Sequence, residues 1–172
     1  MKIKIFLTAF LMSFIGLFYA DFSSAQTSST EEYKVFTQEK NKLSLTNVQE
    51  FLKKGDNYID KNNFDKAKAE YDKARTLAKQ LLSFYRDLSG SFRGLDARIP
   101  REMDKKGRAI LEVYADSNMR LAALFRRQNQ PEVSIPLLIE VIRLVSPTSS
   151  QGKKAYEILL ELGFVNTPYL GG

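Results

Sequence analysis

Residues 51–74 read FLKKGDNYIDKNNFDKAKAEYDKA, and this stretch decides the fold. Gly55 and Tyr58 precede the polar run Lys61-Asn62-Asn63, and Ala67, Tyr71 and Ala74 follow it at spacings of four and three. Such spacings place side chains on one face of a helix, so the stretch predicts two helices joined by a tight turn. Small residues let antiparallel helices approach closely and large ones fill the space beside them. Gly55 and Tyr58 are therefore expected to face Ala67, Tyr71 and Ala74 across the hairpin.

The pattern extends both ways. Upstream, Thr46-Asn-Val-Gln49 fits a capping box that opens a helix running to about Asp60. Downstream, Ala78, Leu81, Tyr85 and Leu88 continue the face begun at Ala67, which predicts one long helix from Phe64. Residues 88–100, LSGSFRGLDARIP, hold two glycines and a proline, so the chain breaks and reverses in this central insert. Another helix is expected near Pro100, whose fixed φ suits a first turn. Ile110, Tyr114, Ser117, Leu121, Phe125 and Gln128 keep helical spacing. Within them, Asp116-Ser117-Asn118 reads either as a turn or as part of one continuous or slightly bent helix, the reading the spacing favours. Pro131 opens the next helix, with Ile135, Leu138, Ile139, Ile142 and Leu144 as its expected buried side and Pro136 inside it as a potential bend. Ala155, Ile158, Leu159 and Leu162 mark a last short helix closed by Gly163. No run alternates β-branched residues between hairpin turns, so the expected fold class is all-α.

The first residues have a different grammar. Met1-Lys-Ile-Lys4 is a basic start, Ile5 to Ala20 is almost continuously apolar, and Ser23-Ser24-Ala25 supplies the small residues that signal peptidase accepts. Residues 1–25 are expected to be a signal peptide cleaved after Ala25, the competing reading being a retained anchor. Residues 26–45 read as a polar linker, 46–163 as the helical domain and 164–172 as a C-terminal tail.

Composition narrows the function. The 172 residues include no Cys, His or Trp, which removes thiolate and His-dependent nucleophiles, disulfides and ordinary zinc or haem sites. The formal net charge is +6, or about +5 without residues 1–25, which favours acidic partners or an anionic membrane face. No nucleic-acid motif is present, and nucleic acid is not an expected partner. Asp56 with Asp60, and Tyr58 beside Lys61, are the best pairs for catalysis, yet charged pairs four apart on a helix are commonplace. No catalytic residue, metal site or cofactor is expected.

Gly55-x2-Tyr58-x8-Ala67-x3-Tyr71-x2-Ala74 resembles a tetratricopeptide repeat, with Phe51 at a position often aromatic in that family. A second copy, Ala122-x2-Phe125-x8-Ser134-x3-Leu138-x2-Val141, lies 67 residues on, about twice the family's period. The same spacing in the middle slot would give Ser89, Phe92, Arg101, Lys105 and Arg108, with charge where small apolar residues should pack. Lys54 and Lys79 also depart from the pattern. The resemblance implies a short α-α superhelix of antiparallel hairpins that binds a partner on the face bearing Asp56, Ile59 and Asp60 and then Ala123, Arg126 and Arg127. Leu52 and Asp56 do not match the carboxylate clamp of the cytosolic chaperone-binding members. Ser91 to Met103 and Arg126 to Pro131 also resemble small exported tetratricopeptide-like proteins of cyanobacteria. That likeness implies the periplasm or thylakoid lumen and a role in assembling membrane complexes.

The candidate partner-binding residues are Phe92, Arg93, Arg98 and Arg101 of the insert, with Arg126 and Arg127. Arginine and aromatics are enriched at interfaces, although for Phe92, Leu95 and Ile99 the favoured reading is that they fold back to cap the core. Lys105, Lys106 and Arg108 extend the basic character along the next helix. The expected role is a non-catalytic adaptor or assembly factor whose partner is an acidic protein or peptide, or a membrane-complex subunit. The alternative is a basic, lipid-associated structural protein making peripheral membrane contact.

Overall fold

The computed structural model describes residues 42–170, all of them in helices or their connections; the expected signal peptide and most of the expected linker lie outside these residues. Five helices follow in order: α1 Leu45–Asp60, α2 Phe64–Ser91, α3 Arg98–Arg127, α4 Pro131–Val145 and α5 Ser150–Glu161. Each packs mainly against the next, with smaller contacts between α1 and α3 and between α3 and α5. The protein is thus all-α, built from antiparallel helical hairpins. Among the described residues no helix is long and apolar enough to cross a membrane.

Local chemistry accounts for most ends. Ser44, not Thr46, caps α1: its hydroxyl accepts from the Asn47 amide at 3.2 Å, and the helix starts one residue before the expected capping box. At the other end, Asn62 takes φ 55°, the Asn63 amide donates to the Tyr58 carbonyl, and the Asn62 amide to that of Ile59. This is a Schellman close with asparagine in the left-handed position. The end of α3 repeats it: Asn129 has φ 60°, with Gln130 N–H donating to Phe125 and Asn129 N–H to Arg126. Asn62 and Asn129 are 67 residues apart, the separation of the two sequence copies. Gly163 closes α5 in the same manner, its φ being 70° and the Phe164 amide donating to Leu159.

The core follows the two copies. Ala67, Tyr71 and Ala74 are buried on α2, and Ala122, Ser134, Leu138 and Val141 take the equivalent buried places on α3 and α4. Tyr58 and Phe125, also equivalent, are half-buried against the same core. On α4 the buried stripe is Ser134, Leu137, Leu138 and Val141. Ile139, expected inside, is exposed, and Ile135, Ile142 and Leu144 lie only partly covered. Asp116-Ser117-Asn118 is not a turn: α3 passes straight through it, with Ser117 and Asn118 fully buried.

Among the described residues no third hairpin packs on the long helices. With 28 and 30 residues, α2 and α3 are nearly twice the length of α1 and α4, which have 16 and 15. Because α1 joins α2 and α4 joins α3 through tight turns, the far ends of α2 and α3 continue past both partners as a two-helix arm. At about 1.5 Å per residue the arm projects on the order of 15 Å. Ser89 on α2 and Gly107 on α3 are buried within it, and Ser89 donates to the Asp104 carboxylate at 2.9 Å. Arg101, Lys105 and Arg108, the middle-slot positions on α3, point to solvent, and Met103, Gly107 and Ile110 face inward instead.

Candidate functional site

Two polar clusters cross-strap the central helices. Tyr71 of α2 donates its hydroxyl to Asp56 of α1 at 2.7 Å, and the Arg120 guanidinium of α3 pairs with the same carboxylate. Tyr114 of α3 donates to Glu140 of α4 at 2.7 Å, and Arg75 of α2 pairs with that carboxylate at 2.6 Å. Each central helix therefore gives a tyrosine to its own flanking helix and an arginine to the carboxylate of the other. Asp116, one turn before Arg120, holds the Arg120 Nε at 3.1 Å. Fully buried Asn118 faces Glu140 without reaching hydrogen-bond geometry, and neither of its amide atoms has a partner.

The electrostatics follow from this geometry. Burial opposes the charge of Glu140, but the Tyr114 hydroxyl and the Arg75 guanidinium outweigh it and hold its carboxyl below the usual range. Burial, then the hydrogen bond to Glu140 and its charge, push the Tyr114 hydroxyl up to about 12 against the opposing pull of Arg75. Burial and then Asp56 raise the Tyr71 hydroxyl further still. Asp56, expected on an open binding face, is instead tied into the packing of α1 on α2 and α3. The carboxylates gathered here hold helices together. The sequence reading missed the pairings of Arg75, Tyr114, Arg120 and Glu140, which join residues 26, 64 and 65 positions apart and leave no local trace.

The expected partner-binding residues fall into two separate groups. Phe92 caps the end of α2 half-buried, and Arg93 is exposed beside Gly94, whose φ of 87° makes the turn at the arm's tip. Arg98 clasps the Asp96 carboxylate at 2.7 Å while its own side chain stays 88% exposed, and Arg101 is exposed one turn later. Between them Leu95 is 80% exposed, and Phe84, further back along α2, is 59% exposed. Ile99 is partly covered. The insert thus divides: Phe92 and Ile99 fold partly inward and Leu95 stands out.

Arg126 and Arg127 lie at the opposite end of α3, about 40 Å away along a 30-residue helix. Arg126 reaches Glu161 of α5 at 3.1 Å, and Arg127 is exposed. The tertiary structure does not bring these two groups onto one surface. Beyond α5 the expected tail turns back: Val165 packs on the core, Tyr156 donates to the Thr167 carbonyl at 2.7 Å, and Tyr156 meets Tyr169 edge-to-face at 6.1 Å.

An open groove lies at the base of the arm. About 1020 Å³ in volume, it is bounded by α3 at Arg108 to Glu112, by the end of α4, and by the first turn of α5. Fold and surfaces together define an all-α protein of sequential helical hairpins, with an internally strapped centre and a basic projecting arm. Comparison with protein-family models, curated proteins and solved structures finds no match.

Proposed function

We propose that this chain is a non-catalytic protein–protein interaction module, an adaptor or assembly factor built on tetratricopeptide-like hairpins and acting after export. The arm carries the reading. Between residues 84 and 108 it has seven basic and four acidic side chains, and at its tip Leu95 is 80% exposed among Arg93, Arg98 and Arg101. Arginines around a projecting apolar side chain are characteristic of interface anchors. Two hairpins with the same asparagine close, 67 residues apart, support the repeat reading. The capture of Asp56 and Glu140 by tyrosines and arginines supports a structural rather than catalytic use of the carboxylates.

The same tip favours one second reading, contact with an anionic membrane, because an apolar residue at a basic turn can insert among lipid headgroups. A crosslinked pull-down from native membranes separates the two. One variant carries Arg93→Glu, Arg98→Glu and Arg101→Glu, and another Arg126→Glu and Arg127→Glu. Loss of a defined protein partner in either variant supports the adaptor; loss of liposome binding with no protein partner supports the lipid reading. If both variants keep every partner, neither end of α3 is the site. Export is checked by the intact mass of the native protein, expected to begin at Gln26; a mass that includes Met1 to Ala25 in the membrane fraction replaces it with an anchor.

A further inference from the structure

The surface of α3 that leads from the arm into the large groove has a composition of its own. Arg101, Lys105, Arg108 and Glu112 stand at spacings of four, three and four, one stripe along the helix. Across the groove, Arg143 projects from the last turn of α4. Among the described residues none of Arg101, Lys105, Arg108 and Arg143 makes an ion pair, whereas Lys106, on another flank of α3, pairs with Glu102 at 2.6 Å. Asp104, exposed four residues before Arg108, accepts from the Ser89 hydroxyl at 2.9 Å. At the groove itself Arg108 and Arg143 stand against one carboxylate, Glu112, and Arg101 and Lys105 continue the basic stripe along α3 beyond it. The first turn of α5, which borders the groove, holds no acidic residue to offset its positive end.

The floor between these charges is apolar. Leu111, Ile142 and Val145 line it, each only partly buried against the core. We infer that this groove binds an acidic peptide segment of a protein partner, seating an apolar side chain on Leu111, Ile142 and Val145 and carboxylates on Arg108 and Arg143, with Lys105 one turn further along α3. The charge of Arg108 and Arg143 selects the sign of the ligand, and the apolar side chains beside them select its class. A flat bilayer meets projecting residues, whereas these residues line an open groove between α3, α4 and α5. A nucleic-acid backbone offers the phosphates but not the aliphatic side chain. The site lies at the base of the arm, away from Arg126 and Arg127 at the other end of α3.

The inference rests on the protein-binding reading above but can fail alone. If native membranes yield a partner that a chain with Arg108→Glu and Arg143→Glu retains, the adaptor stands and this groove is not its site. The direct test uses the full chain and a fluorescein-labelled peptide of Glu-Glu-Leu repeats, followed by fluorescence anisotropy at low salt. Saturable binding is expected, weakened about tenfold or more by Arg108→Glu with Arg143→Glu, a change in free energy of about 1.4 kcal/mol or more. Lysine at both positions should restore most of it. Lys53→Glu with Lys79→Glu, exposed on α1 and α2 away from the groove, should leave it within about twofold. Ile142→Ser should weaken the leucine-bearing peptide but not one with serine in place of leucine. Circular dichroism checks that each variant keeps its helices, as the exposed positions of Arg108 and Arg143 lead us to expect. The inference is overturned if the leucine-bearing peptide does not bind, if the double charge reversal leaves its binding unchanged, or if phosphatidylserine vesicles or a single-stranded oligonucleotide bind through the same arginines and the peptide does not.

Discussion

The ring of Tyr71 lies directly over the backbone of Gly55, so close that a Cβ on Gly55 would stand 2.9 Å from Tyr71 Cζ and nearer still to Cδ1 and Cε1. The absence of a side chain at Gly55 is what lets α1 and α2 meet there, with Tyr71 continuing past it to reach Asp56. Gly55→Ala should therefore destabilise the protein by about 1–3 kcal/mol, the usual cost of overpacking, even though alanine is intrinsically the better helix former by about 1 kcal/mol. Gly107→Ala is the control: it is also helical and buried, but a Cβ there meets nothing within 4 Å, so it should be neutral or stabilising. Ala67→Leu, in the same hairpin at a fully buried position, should cost about 1–3 kcal/mol. Urea unfolding measures all three, and a Gly55→Ala chain as stable as the native one would refute the tyrosine–glycine contact.

Asn62 and Asn129 close α1 and α3 with positive φ, where a side chain with a Cβ is strained and asparagine is better tolerated than most. Replacing either by alanine should cost about 1 kcal/mol, and replacing either by glycine should be neutral or slightly stabilising. Parallel responses at the two positions in thermal melts would show that the hairpins are energetically as well as geometrically equivalent. A large loss at one position with none at the other would refute that equivalence.

Glu140 joins α4 to both central helices, and its carboxyl sits below its ordinary value of 4.5 because Tyr114 and Arg75 outweigh the burial that opposes its charge. A depressed carboxyl contributes stability that is present above the unfolded value and lost as pH falls through the folded one. Glu140→Gln should thus flatten the acid limb of the stability curve below about pH 5. A double-mutant cycle of Arg75→Ala and Glu140→Ala at neutral pH should give a coupling of about 0.5–1 kcal/mol, limited by the partial exposure of both side chains. A coupling near zero would leave the strap a contact without energetic weight.

Tyr114 titrates in the opposite direction. Its hydroxyl is pushed up to about 12, first by burial and then by Glu140, whereas an unfolded tyrosine ionises near 10. The raised folded value contributes stability that is complete below about pH 10 and lost as pH climbs through about 12. Spectrophotometric titration of tyrosinate should show a late step that Tyr114→Phe removes, with a shallower alkaline loss of stability. Disappearance of no step, or of an early one, would contradict the buried hydrogen bond to Glu140.

Much of the fold was legible in local chemistry. The alternating fours and threes from Ala67 to Leu88 marked the buried face of α2 because helical geometry acts within a few residues, and the polar turns at Asn62 and Asn129 were punctuation of the same short range. Sequence also separated the basic, glycine-bearing insert from the paired copies around it. It placed the start of α1 at the Thr46 capping box, and backbone geometry instead makes Ser44 the N-cap. On α4 two adjacent stripes are both apolar enough to bury, 135-138-139-142 and 134-137-138-141, and helical period cannot separate faces that are one residue apart. Packing against α3 chose the second and turned Ile139 outward. The straps of Asp56 to Arg120 and Arg75 to Glu140, the separation of the two arginine groups by the length of α3, and the groove joining Arg108 to Arg143 belong to the tertiary structure alone. Each depends on which helices lie side by side, and that is set by the summed packing of the whole core rather than by any short run of residues.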